Sequence, residues 1–163
     1  IYTDMDLQED ARWKMNPPIR SAEDRAALIE GIKDGSIDMI ATDHAPHSIE
    51  EKSRGLKDSA MGIVGLETAF AALHTHLVRK GVITMERLVE LMSINPRKVF
   101  RIKGGIDVGE RADVVLIDPN REWTVDSSKF YSMGKITMFD GKDMVGDIAM
   151  TIHRGKVVYN NMK

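Results

Sequence analysis

The segment Thr42-Asp43-His44-Ala45-Pro46-His47 gathers one carboxylate and two imidazoles in a single short stretch of chain. These groups move protons near neutral pH and hold divalent metal ions through oxygen and nitrogen. Two readings of the segment stand. In one, Asp43 is a catalytic carboxylate presented at the end of a strand, where α/β folds place reacting groups. In the other, Asp43 caps a turn and His44 and His47 are surface residues of a loop. A second segment, Lys14-Met15-Asn16-Pro17-Pro18-Ile19-Arg20, carries paired prolines that hold the backbone extended. It is either a polyproline linker or a rigid platform that presents the Asn16 amide as a hydrogen-bonding group.

Both segments need elements to position them. Ser21 followed by Glu23 and Asp24 is an N-cap with an acidic first turn, and Ala27, Leu28, Ile29 and Ile32 give the helix an apolar face that stops near Gly35. The apolar run Ile37 to Thr42 suits a buried strand of a parallel sheet, and its end delivers Asp43. From His44 to Gly65 the chain reads as a long loop, punctuated by Pro46, Gly55, Gly62 and Gly65. Helical periodicity returns from Leu66 to Lys80 and stops at Gly81; Thr84 caps a further helix through Met92. Asn95-Pro96 reads as an N-cap and first-turn proline opening a short helix through Phe100.

Beyond residue 101 the character becomes β-rich. Ala112 to Asp118 reads as a strand closed by Asp118-Pro119-Asn120, and two short strands, 147 to 153 and 156 to 159, meet at Arg154-Gly155 in a hairpin. The expected division is therefore 1–101, helix-rich with buried strands, and 102–163, β-rich.

With 163 residues, of which 42% are hydrophobic, the chain is long enough for a real core. The net charge of −2 gives no electrostatic reason to expect nucleic acid or an anionic membrane as partner. There is no cysteine, so disulfides and thiolate metal sites are excluded and any metal is held by His, carboxylate or other oxygen and nitrogen groups. No apolar run has the length of about 20 residues needed to span a bilayer. The stretch 1–10 is too acidic and polar for a signal peptide, a cytoplasmic setting fits, and the abrupt start without Met is read as truncated or processed.

In their order and spacing, Lys14 to Arg20, Ala41 to His47 and Gly62 to Thr68 resemble the dihydroorotases of the metal-dependent amidohydrolase superfamily. The resemblance continues through Asn95 to Phe100, Gly109 to Asp118 and Gly155 to Tyr159, and so covers nearly the whole chain. It implies an α/β fold: the C-terminal part of a (β/α)8 TIM barrel, its last βα units in 1–101, followed by strands of a small composite β-sandwich in 102–163. It also implies a centre of divalent metal, usually two zinc ions (Zn2+), and the reversible interconversion of dihydroorotate and carbamoyl-aspartate in pyrimidine biosynthesis. By that resemblance Asp43 binds metal and acts as general base, Asn16 and His47 hydrogen-bond the substrate, and groups around Met61 and Gly62 complete the pocket. His44 is read as supporting the site from behind or as purely structural. Asn16 before the paired prolines separates this pattern from the related allantoinases and hydantoinases, which generally differ there. A non-catalytic dihydroorotase-like scaffold is the rival from another class.

The family's other metal ligands, a His-x-His on the first barrel strand among them, match nothing here. The one His-x-His present, His74-Thr75-His76, sits in a helical pattern that points its two rings apart. His153 has no evident partner and is read as structural. The expectation is a chain inactive by itself, whose partners are the small-molecule substrate, the N-terminal part of the same protein, and further copies in a homo-oligomer.

Overall fold

Ser21 opens the first long element of the computed structural model, which describes residues 1–162. Its hydroxyl accepts from the Asp24 amide, and the helix α1 (Ala22–Asp34) ends at Gly35 in a left-handed conformation (φ 89°). Both ends follow the sequence reading. Its apolar face is not packed, however: no residue of α1 is buried and Leu28 is 55% exposed. The run 37–42 forms no regular strand, which corrects the expected parallel strand. A strand exists only as a ladder with a neighbour, and no described residue pairs with this one in a sheet.

The chain divides into two compact units. One comprises Ile1–Ala69 with Thr124–Asp143, the other Phe70–Trp123 with Met144–Lys163. The first is built on Ala11, Trp13, Val64, Val125, Phe130 and Phe139, all buried. Tyr2 meets Trp13 edge-on with ring centroids 5.1 Å apart, the geometry aromatic quadrupoles favour. The loop from His44 to Gly65 belongs to this unit and contains one short helix, α2 (Gly55–Asp58).

The second unit holds α3 (Ala69–Leu73) continued by a π turn His74–Val78, and then one unbroken run: α4 (Met85–Val89), a π turn Glu90–Ile94 and α5 (Asn95–Val99). Thr84 caps α4 as expected, its hydroxyl accepting from the Arg87 amide. Asn95 does not open a new helix. It lies inside the run with helical dihedrals, because Pro96 needs no amide partner where the π turn already displaces the ladder. Leu88 and Leu91 are fully buried.

The sheet has the order β1 (Val114–Thr124), β2 (Asp143–His153), β3 (Lys156–Asn160). β1 runs straight through Asp118-Pro119-Asn120, which the sequence reading took as its end. As an edge strand it tolerates the missing amide of Pro119, and the Asp118 carboxylate accepts from the amides of Asn120 and Arg121. β2 and β3 are antiparallel, with His153 opposite Lys156. The hairpin at Arg154-Gly155 is as expected: φ is 49° and 75° at the two turn residues, the signature of a type I′ turn.

His153 does have a partner, contrary to the sequence reading. Its Nδ1 lies 3.0 Å from Asp113 Oδ1, and the same oxygen accepts from the Arg154 amide at 2.8 Å. The Arg154 amide first, and then the Arg111 guanidinium, hold the Asp113 carboxyl below its ordinary value of 3.8. A depressed carboxyl stabilises the fold above its unfolded value and loses that contribution as pH falls through the folded one. The hairpin clamp is therefore expected to be intact above pH ~4 and to open only below it. Amide exchange at Arg154 and Gly155, followed by NMR through an acid titration, should show protection lost in that window. Asp113→Asn should flatten the profile, and unchanged acid sensitivity in that variant would refute the assignment.

Candidate functional site

The loop that carries the candidate residues is tied down by side chains of its own unit. His44 Nδ1 accepts from the amides of Gly65 (3.1 Å) and Leu66 (3.2 Å), so the ring proton sits on Nε2, which faces Ser132 Oγ at 3.4 Å. Glu67 accepts from the amides of Tyr131 and Ser132 at 2.8 and 3.1 Å. Gly134 comes so close that a Cβ there would stand 2.7 Å from Pro46 Cβ. These contacts tie the His44 ring to the backbone of its own unit.

His47 is half-buried. Its Nε2 donates to the Met61 carbonyl at 2.9 Å and its Nδ1 faces Glu51 Oε2 at 3.3 Å. Both neighbours are acceptors, so the neutral ring makes only one of these bonds fully, and the shorter Nε2–H···O bond is the better formed. Gly62 packs beneath the same ring, its φ of 138° and its close approach to Ala45 and His47 requiring glycine. The Gly62 amide in turn donates to the Lys14 carbonyl at 3.0 Å. His47, Met61 and Gly62 thus meet, and the segment leading to Asn16 is bonded to them.

Asn16 and Asp43 stand otherwise. Both are exposed, and neither side chain takes a hydrogen-bonding partner among the described residues, which leaves the amide and the carboxylate available to an incoming group. Asp43 adopts φ 44°, a left-handed conformation that Asp tolerates better than most residues. No bond joins it to His47 or Asn16. The chain by itself does not fit a metal centre: among the described residues no three His, Cys, Asp or Glu side chains converge, and a catalytic zinc needs three protein ligands. His74 is buried in the second unit, where its Nδ1 donates to the Val145 carbonyl at 2.9 Å and its ring stacks on Phe70.

Two residues of the site were not singled out from the sequence. Glu51 faces His47 Nδ1 at 3.3 Å, and Lys52, buried, bonds the carbonyls of Lys14 and Ala60. The signal available was Ser48-x-x-Glu51, a capping-box pattern that closes here: the Ser48 amide donates to Glu51 Oε2 and the Glu51 amide to Ser48 Oγ.

A model of the amidohydrolase family matches residues 9–158. Proteins named dihydroorotase from Brevibacillus brevis and Anoxybacillus flavithermus are 51% and 53% identical over 99% and 92% of this chain. The chain spans 39% and 35% of those relatives' own length. Among solved structures, an L-hydantoinase (dihydropyrimidinase) from Arthrobacter aurescens superposes with a TM-score of 0.85 at 38% identity, covering 93% of this chain and 35% of that one. A dihydropyrimidinase from Brevibacillus agri gives 0.83 at 28% identity, covering 94% and 35%. These neighbours fix the fold class as the C-terminal part of a (β/α)8 amidohydrolase followed by strands of its small sandwich. The dihydroorotase resemblance read from the motifs is borne out in the names of the relatives.

Proposed function

Since this chain belongs to the amidohydrolase family, we propose that the protein of which it forms part is a dihydroorotase, opening the cyclic amide of dihydroorotate to carbamoyl-aspartate and closing it again. The observation that carries this reading is the identity of about half to proteins named dihydroorotase along nearly the whole chain. Asn16, the residue that sets the motif apart from those of hydantoinases, stands free of internal partners as a substrate contact should.

In this reading Asp43 is the general base. Its carboxylate accepts the proton of the attacking water as the new C–O bond forms, and delivers it to the ring nitrogen as the C–N bond breaks. His47, anchored at Met61, and the Asn16 amide orient the ring and its carbonyls, and the Met61–Gly62 backbone closes the pocket. Asp43 also serves as one ligand of a zinc centre, whose other ligands lie in parts of the protein outside this chain. The place of the reaction in pyrimidine biosynthesis, a cytoplasmic setting and a homo-oligomeric assembly belong to the same proposal.

The full-length protein is expected to turn over dihydroorotate with kcat/KM at least ~100-fold above that for a hydantoin or dihydrouracil, because a site built to hydrogen-bond a substrate group rejects analogues lacking it by large factors. The purified 163-residue chain is expected to show no turnover. A preference for hydantoins in the first assay would move the assignment to a hydantoinase; turnover by the short chain at the full-length rate would refute the partial-site reading.

A further inference from the structure

Lys52 is only 5% exposed, an unusual place for an ammonium group. Its Nζ donates to the Lys14 carbonyl at 3.0 Å and to the Ala60 carbonyl at 2.9 Å. Lys14 stands two residues before Asn16, and Ala60 directly precedes Met61. The Lys14 carbonyl is also the acceptor of the Gly62 amide. One nitrogen therefore bridges the two backbone segments that carry three of the proposed substrate contacts.

The fourth contact depends on the same turn. Glu51, the preceding residue, reaches His47 Nδ1, and its carboxylate is held in place by the Ser48 amide at 2.9 Å. The Lys52 amide returns to the Ser48 carbonyl at 3.2 Å. Ser48 to Lys52 is thus a closed turn with one charged side chain directed at the His47 ring and the other at the backbone beneath Asn16 and Met61.

We propose that Lys52 is a positioning residue of the substrate pocket: its ammonium sets the separation between the segment bearing Asn16 and the segment Met61–Gly62, whose Met61 carbonyl in turn anchors the His47 ring. The assignment rests on the reading of Asn16, His47, Met61 and Gly62 as substrate-contacting groups. The chemistry demands this side chain. Two carbonyls converge on one buried point, an ammonium offers several donors from a single atom, and a Met of similar length offers none. Burial and the neighbouring Lys14 charge lower the proton affinity of the group, with Asp10 opposing them. That placement is unfavourable for a lysine with no task beyond filling space.

The test is Lys52→Met in the full-length, metal-loaded protein, assayed on whichever cyclic amide the wild type prefers. Preference for a hydantoin would overturn the substrate reading yet leave this comparison intact. Displacement of binding groups by about an ångström costs on the order of 100-fold in kcat/KM, and here it should fall mainly on KM, with metal content unchanged. A purely structural lysine predicts instead a lower melting temperature and less active enzyme with an unaltered KM, and that result overturns the proposal. Lys52→Arg, which keeps the donors, should recover most of the loss. If Lys52→Met does not fold, Lys52→Gln is read by the same split between KM and kcat. Failure of both to fold makes Lys52 a folding residue and likewise overturns the proposal.

Discussion

Asp43→Asn in the full-length protein is expected to lower kcat on the order of 1,000-fold, within the range removed with a general base. Asn is the informative replacement because the backbone here has φ 44°, a conformation that Asn shares with Asp while Ala adopts it at a cost of about 1 kcal/mol. The variant therefore changes the proton-accepting oxygen and little else. The side chain makes no internal hydrogen bond that Asn would break, so thermal stability of the metal-free protein should be unchanged. Loss of metal accompanying loss of turnover would agree with a ligand role as well. Activity within tenfold of the wild type at full metal content would remove Asp43 from the mechanism.

How far the sequence disclosed this site depended on whether the causes were local. Ser21 and Gly35 mark α1 correctly because a hydroxyl cap and a left-handed glycine act within one turn of chain. Arg154-Gly155 marks the hairpin for the same reason. The strand expected at 37–42 failed because its apolar pattern describes a residue's surroundings, and those are supplied by other strands. The end assigned to β1 failed because Pro119 stops a central strand but not an edge strand, and nothing local says which kind a strand is. Asn95-Pro96 looked like a helix start, yet the preceding π turn carries the helix through it.

The site divides along the same line. Asn16, Asp43, His47, Met61 and Gly62 were proposed through a family resemblance carried by whole motifs, and of these His47, Met61 and Gly62 lie against one another. Lys52 was missed, since in a loop that also holds Arg54 and Lys57 no local feature marks the one cation that is buried. Its partners, Lys14 and Ala60, are carbonyls, which every residue has. A positioning group that acts on backbone leaves no recognisable partner in the sequence.

Gly62→Ala is expected to be strongly damaging, lowering stability by about 3 kcal/mol when the strain of a positive φ adds to overpacking. The added Cβ would lie 2.7 Å from Ala45 Cβ and 2.9 Å from the Ala45 carbonyl oxygen, with His47 Cδ2 at 3.0 Å. None of these is the free end of a flexible side chain. Relief by moving either backbone is opposed, because Ala45 is bonded to the Ile63 carbonyl and Gly62 to the Lys14 carbonyl. The ring of His47 would be displaced with them, so kcat/KM should also fall on the order of 100-fold in the protein that remains folded. Gly35→Ala is the control: φ is 89° there, but nothing lies within 4 Å of the new methyl, leaving only the strain of about 1 kcal/mol. The difference between the two variants in denaturant midpoint and in KM measures the close approach of Ala45, Gly62 and His47 alone. Equal effects of the two substitutions would mean that this packing does not shape the pocket.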